Sequence, residues 1–288
     1  MEHDKMNIQW YPGHMTKTRR QIEADLKQVD AVCEIVDARI PASSRNPDID
    51  AICGKKPSIV ILNRMDLADP AATKRWAAYF REKGMAAVAT DCKSKRGIGD
   101  FEPAVRSVLK EKLERDAARG MKRALRVMIV GIPNVGKSTL INQISGRKGA
   151  KAENRPGVTR GKQWVTVNNS LLLLDTPGIL WPKFDDPEVG MMLAYTGAVK
   201  EDVIDLEELA CRLMELLHAR YPQALKERYG IEVPEGTPGY ELLEAAGKKR
   251  GFLLARGEIH TERMAKVLVD EYRSGKLGKF TLEEPEEM

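Results

Sequence analysis

Short apolar runs alternate with amphipathic stretches along the first 200 residues of the chain. Residues 31–36, 58–62, 86–89 and 126–130 are mostly apolar and bounded by turn formers, the pattern of strands buried on both faces of a parallel sheet. Between them, residues 71–83 and 102–119 carry helical spacing, with Pro70 and Pro103 where a first helical turn tolerates proline. Strand, helix and strand in succession predict a parallel sheet with helices on both faces. Residues 163–167, Asn168-Asn169 and residues 171–174 predict a hairpin, hence one antiparallel pair at the sheet edge.

Past residue 200 the pattern changes. Leu206, Leu209, Leu213 and Leu216 recur at three- and four-residue spacing, an amphipathic helix, and residues 240–249 and 262–272 predict two more beyond a Gly- and Pro-rich breaker at 230–239. The expected organisation is an α/β domain over residues 1–200, its N-terminal segment 1–30 included, and a small all-α domain over 201–288 ending in a frayed acidic tail.

Composition narrows the class. At 288 residues with 42% hydrophobic and 31% charged positions, the chain can bury a core without staples. It has no run of about 18 apolar residues, so no membrane span or membrane partner is expected. Residues 1–10 lack a targeting pattern, and Cys33, Cys53, Cys92 and Cys211 form no C-x-x-C pair, which argues against structural zinc and for the reducing cytoplasm. The net charge of +5 is unevenly placed: residues 147–162 hold six basic residues and one acidic. Lys248, Lys249, Arg250, Arg256, Arg263 and Lys266 add a second basic group. Such patches suit a polyanion, and equally a solvated face.

Gly131-Ile-Pro-Asn-Val-Gly-Lys-Ser138 matches G-x-x-x-x-G-K-[ST] in full, after a predicted strand and before a predicted helix. Backbone N–H groups of such a loop wrap the β-phosphate, and the helix N-terminus adds positive potential. Lys137 is placed between the β- and γ-phosphates and the Ser138 hydroxyl on Mg²⁺. Asn134, Val135, Gly136, Lys137, Ser138 and Thr139 are therefore the phosphate-side candidates. Asp175-Thr-Pro-Gly178 follows 44 residues after Gly131, at a strand end. Asp175 is there a Mg²⁺ ligand through water, Gly178 a sensor of the γ-phosphate, and Thr159 between the motifs the candidate second metal ligand.

Asn63-Arg-Met-Asp66 follows a predicted strand. An Asp carboxylate accepts from the ring N–H and exocyclic amine of guanine, a donor pair that adenine lacks. Alone, Asn-x-x-Asp is an ordinary turn; the next strand, leading into Asp91 and Cys92 whose loop amides suit the guanine carbonyl, strengthens the base-binding reading. Asn63, Arg64, Met65, Asp66, Asp91 and Cys92 are the base-side candidates.

These motifs resemble those of the translation-factor class of GTPases, with the base-reading pair ahead of the phosphate loop instead of behind it. That is the order of the circularly permuted GTPases. Gln9-Trp-Tyr-Pro-Gly-His-Met15 and Asp37-Ala-Arg-Ile-Pro41, with the motifs above, resemble the ribosome biogenesis GTPase A family over essentially the whole chain. Arg64 departs from the usual Asn-Lys-x-Asp, though its planar cation can still hold the loop. The resemblance implies a P-loop NTPase fold, a permuted GTP-binding domain with a mostly parallel sheet, and a C-terminal helical domain that binds ribosomal RNA.

Signalling GTPases place a water-orienting Gln after the switch glycine, but Ile179 follows Gly178 here. The residues alone favour His14 capping or packing beside a helix at 16–28; the resemblance implies it as the group that positions or activates the attacking water. It also makes Asn134 a candidate K⁺ ligand, against the plainer reading of a turn-stabilising Asn. Trp10, Tyr11 and Trp181 suit stacking on RNA or packing on the sheet. The expectation is a Mg²⁺-dependent GTPase that binds GTP and GDP. It is slow alone and stimulated by the large ribosomal subunit or its precursor, acts late in that subunit's assembly, and is a monomer off the ribosome. The alternative is a nucleotide-dependent RNA-binding module with negligible hydrolysis; a small-molecule kinase on the same loop is disfavoured by Asn63 and Asp66.

Overall fold

A computed structural model describes residues 15–146, 163–178, 186–199, 205–255 and 257–285. His14, Thr159, Ile179, Trp10, Tyr11, Trp181, Arg256 and the basic segment 147–162 lie outside the described residues. Two compact units divide the chain at residues 185 and 186, and Glu283 returns to the first unit.

In the first unit, six strands form one sheet: β1 (Ala31–Asp37), β2 (Ser58–Asn63), β3 (Ala86–Thr90), β4 (Leu125–Val130), β5 (Gln163–Asn168) and β6 (Leu171–Asp175). Their order is β3-β2-β1-β4-β6-β5. All neighbours are parallel except β5 and β6, the edge hairpin that the Asn168-Asn169 turn predicts. From β1 the chain steps outward through β2 and β3, then returns to place β4 on the other side of β1. The connections diverge from the crevice between β1 and β4, the place where open α/β sheets bind ligands beyond their C-terminal strand ends. Motifs may precede or follow one another in the chain and still meet there, because strand adjacency does not depend on where the termini fall.

Helices α1 (Met15–Leu26), α2 (Pro47–Cys53) and α3 (Pro70–Glu82) cover one face. Ile22, Leu26, Ile49 and Cys53 pack with Val32, Met128, Val130 and Leu174. Trp76, Ala77 and Phe80 pack with Val36, Val60 and Leu62. The alternating residues Cys33, Ile35, Ile59, Ile61, Val127 and Ile129 are also buried. Their face is therefore covered too, and α4 (Phe101–Val108) and α6 (Lys137–Ser145) meet the sheet without joining those clusters. Proline at the first turn and an Asn46 or Asp69 side chain accepting first-turn amides start α2 and α3.

The helix expected over 102–119 is two, α4 and α5 (Lys110–Ala118), separated at Leu109. Phe101, Val105 and Leu109 form a buried stripe, whereas α5 buries no residue and meets the sheet end at its rim, where Lys112 pairs with Asp30 at 3.8 Å. The tail also differs from expectation. The Glu283 carboxylate accepts from the Ala42 and Ser43 amides at 2.7 and 3.1 Å, and Arg75 forks onto Glu284. Glu283 and Glu284 are thus fastened rather than frayed.

The second unit runs over Asp186–Leu282 and holds α7 (Pro187–Thr196), α8 (Leu206–Arg220), α9 (Pro222–Tyr229), α10 (Gly239–Lys249) and α11 (Thr261–Ser274). Its start lies ahead of residue 200 because α7 packs on α8 and α11. Arg273 of α11 donates to the Ala194 and Tyr195 carbonyls at the end of α7. Helix α8 is the centre of this unit: Leu209 and Leu213 of the predicted stripe are buried, with Leu217 in place of the half-buried Leu216, among Leu242, Leu243, Met264 and Leu268. Among the described residues, no helix is long and apolar enough to cross a membrane.

Candidate guanine-nucleotide site

Every described candidate residue lies at, or just beyond, the C-terminal end of a parallel strand or on α6. Val130 ends β4, and the phosphate loop runs from Gly131 into α6 at Lys137. The loop needs its glycines. Gly131 has φ +149, and a Cβ there would stand 2.6 Å from the Ile35 carbonyl oxygen of β1. Gly136 has φ +105, and its Cβ would meet Asn63 Nδ2 at 2.4 Å. Asn134 adopts φ +61, which Asn tolerates better than most residues.

Lys137 is buried, and its ammonium donates to the Gly131 and Ile132 carbonyls, both at 3.0 Å. Burial pulls its pKa down to about 8, while the Asp175 charge works the other way. Asp175 ends β6 beside Ile129 of β4. Burial pushes its carboxyl up to about 6, against the pull of Lys137. Its Oδ1 is buried with no hydrogen-bond partner among the described residues. A Cβ on Gly178 would stand 3.0 Å from Lys137 Nζ and from the Pro133 backbone. The glycine of D-T-P-G therefore lies directly against the phosphate loop. A lysine, a carboxylate and a glycine N–H from two motifs 44 residues apart in sequence are brought to one place.

On the other side, Asp37 of β1, Asn63 of β2 and Thr90 of β3 lie abreast in the sheet register. Asn63 Nδ2 donates to the Val135 carbonyl at 2.8 Å, and its Oδ1 accepts from the Thr90 hydroxyl at 3.1 Å. The Cys92 amide approaches the same oxygen at 3.4 Å. Arg64 Nη2 donates to the Asn134 carbonyl at 2.8 Å. Two consecutive residues at the end of β2, Asn63 and Arg64, thus hold two consecutive carbonyls of the phosphate loop. The Met65 amide donates to the Thr90 carbonyl, tying the Asn63–Asp66 turn to the loop after β3. Asp66 is half-buried and its charge acts on Arg64.

The Asp91 carboxylate shapes its own loop: it accepts from the Lys93 and Ser94 amides and the Ser94 hydroxyl. Burial opposes its charge, yet these bonds hold it below the usual carboxylate value. Its carboxylate is committed to the turn, and the Asp91 and Cys92 amides are engaged too, with the Arg96 carbonyl and Asn63 Oδ1. Ser138 and Thr139 are half-buried at the start of α6.

Asp37 and Arg39 belong to the site's frame, a role that their sequence motif does not itself specify. Both are buried, and Arg39 donates Nε and Nη2 to the two Asp37 oxygens at 2.9 and 2.7 Å. A signal was present: two charges closing an apolar strand are expensive unless paired.

The comparisons agree with this geometry. Residues 126–216 match a family model described as a 50S ribosome-binding GTPase. Ribosome biogenesis GTPase A of Priestia megaterium is 48% identical over 98% of this chain and 98% of its own length. The protein of that name from Thermotoga maritima is 33% identical over 98% of this chain and 96% of its own. Of solved structures, GDP-bound TM YlqF superposes with a TM-score of 0.64 at 29% identity, covering 93% of this chain and all of its own. GNP-bound YlqF from T. maritima gives 0.61 at 28% identity, covering 94% of this chain and all of its own. With a permuted guanine-nucleotide site on a mostly parallel sheet, and identity near one half sustained along almost its whole length, the chain belongs to the ribosome biogenesis GTPase A family.

Proposed function

We propose that this chain is a GTP-hydrolysing switch that binds ribosomal RNA in precursor particles and promotes a late step in assembly of the large ribosomal subunit, in the cytoplasm and as a monomer off the ribosome. The observation that carries the nucleotide half is the buried Lys137 ammonium. Among the described residues it donates to two loop carbonyls, and burial makes its charge costly in spite of Asp175, with the Gly178 backbone against it. Such a cation gains most from the β- and γ-phosphates of a nucleotide. The names of its relatives and the basic groups on the helical unit support the ribosomal half.

Asp175 Oδ1, buried and without a partner among the described residues, fits a divalent cation. Ser138, Thr159 and Asp175, the last through a water, would hold Mg²⁺. When bound, the ion neutralises charge on the phosphate oxygens. Asn134 would take K⁺. Asp66 accepts from the base, Asn63 and Arg64 hold the phosphate loop, and the Gly178 N–H faces the γ-phosphate. His14 positions the attacking water. It acts only once the particle has docked, so intrinsic turnover is slow.

Ile179 in the position of a water-orienting residue favours one other reading, a nucleotide-dependent RNA-binding module with negligible hydrolysis. Co-sedimentation with large ribosomal subunits in the presence of a non-hydrolysable GTP analogue, GDP or no nucleotide tests what the two readings share. Both expect retention with the analogue, release with GDP, and weakening by salt. Equal retention in all three states overturns the switch.

A further inference from the structure

Strand β1 lies between the strand that carries the base motif and the strand that carries the phosphate loop. Its last residue, Asp37, has a carboxylate with room for two partners. Arg39 takes both oxygens in a fork, and Arg64 Nε approaches Oδ2 at 3.6 Å. Arg64 therefore has two ends in use: Nε toward Asp37, and Nη2 donating to the Asn134 carbonyl at 2.8 Å. The backbone of Arg64 sits at φ +63, a left-handed conformation that costs an arginine free energy and aims its side chain back into the sheet end. Surrounding contacts must hold that conformation in place.

We infer that Asp37 is a positioning residue for the phosphate loop: with Arg39 held in its fork, its carboxylate fixes the Arg64 guanidinium against the Asn134 carbonyl and so sets where the loop stands for the nucleotide. The inference rests on the guanine-nucleotide reading of that loop. Arg39 matters because it keeps the buried carboxylate charged and oriented, since a carboxylate paired in two bonds does not rotate away. A lysine at position 64 would present one point charge. Arg64 offers separate N–H groups to Asp37 and to the loop, so the arginine that departs from the common base motif is the residue that suits this bridge.

The test is a cycle of dissociation constants for the fluorescent nucleotide mant-GDP on the full chain, with wild type, Asp37→Asn, Arg64→Ala and the double variant. Arg64→Ala and Asp37→Asn each weaken binding by about tenfold, the loss expected for one charge-assisted contact. The double variant binds no more weakly than Arg64→Ala alone, because Asp37 acts through the guanidinium. Asp37→Glu, which keeps the charge, recovers at least half of the logarithmic loss. Should circular dichroism show Asp37→Asn unfolded, Arg64→Lys carries the test: its single point charge cannot bridge Asp37 and the loop, so it weakens binding about as much as Arg64→Ala, and wild-type affinity in Arg64→Lys overturns the assignment. Factors that multiply in the double variant, to about a hundredfold, overturn the assignment, as does wild-type affinity in Asp37→Asn. A wild type that does not bind mant-GDP overturns the guanine-nucleotide reading itself, and this assignment with it.

Discussion

Asn63 Nδ2 donates a 2.8 Å hydrogen bond to the carbonyl of Val135, joining the end of β2 to the phosphate loop across 72 residues of chain. The same side chain accepts from the Thr90 hydroxyl, so one amide joins three segments of the site. Asn63→Ala leaves the Val135 carbonyl and the Thr90 hydroxyl without these bonds, at a cost of about 2–3 kcal/mol. Guanine-nucleotide affinity should fall by about thirty- to a hundredfold. Equilibrium mant-GDP binding checks this, and a loss below threefold would contradict the assigned bond.

Gly136 has to be glycine for two reasons, its φ of +105 and the 2.4 Å at which a Cβ would meet Asn63 Nδ2. Gly136→Ala should abolish detectable nucleotide binding. Gly99→Ala, where a Cβ meets nothing within 4 Å, should leave binding unchanged. Fluorescence titration of both variants separates loop geometry from a general loss of glycine.

Guanine presents two donors to an Asp66 carboxylate, whereas an Asn amide presents a donor of its own. Asp66→Asn should lower GDP affinity by at least about 2 kcal/mol and raise affinity for xanthosine diphosphate, whose carbonyl replaces the guanine amine. Competition between the two nucleotides reads the change in preference. An unchanged ratio would remove Asp66 from the base site.

In the helical unit, Glu271 accepts from Arg228, Tyr229 and Arg250. The bonds from Arg228 do most to hold its carboxyl down at about 2. Because this folded value lies below the unfolded one, its stabilisation is present in full above pH 4.5 and drains away as the pH falls toward about 2. Urea unfolding should show about 2–3 kcal/mol lost over that window in the wild type. Glu271→Gln should begin less stable at neutral pH and lose less on acidification.

What could be read along the chain follows from the range of the forces involved. The phosphate loop, Asn63–Asp66 and Asp175–Gly178 were legible because residue type at fixed spacing sets their chemistry, and the strands because apolar runs between turn formers have few other uses. Asp37 and Arg39 carry a local signal, two charges closing an apolar strand, but their role arises from Arg64 and Asn134, contacts that no local pattern encodes. Helix α2 leaves little periodic signal although Asn46 and Pro47 begin it well, since its seven residues bury only Ile49 and Cys53. The division near residue 200 came from the leucine stripe beginning at Leu206. Helix α7 joins the helical unit earlier through Arg273, a tie between residues nearly 80 apart.

The most direct test of the central claim is the rate of GTP hydrolysis in KCl with and without purified large ribosomal subunits, for the wild type and for His14→Ala. The account predicts slow turnover alone, a stimulation of about 10³-fold or more by the subunits, and loss of that stimulation in His14→Ala while nucleotide binding survives. A negligible wild-type rate that the subunits leave unchanged would contradict it, and the chain would then be a nucleotide-dependent RNA-binding module.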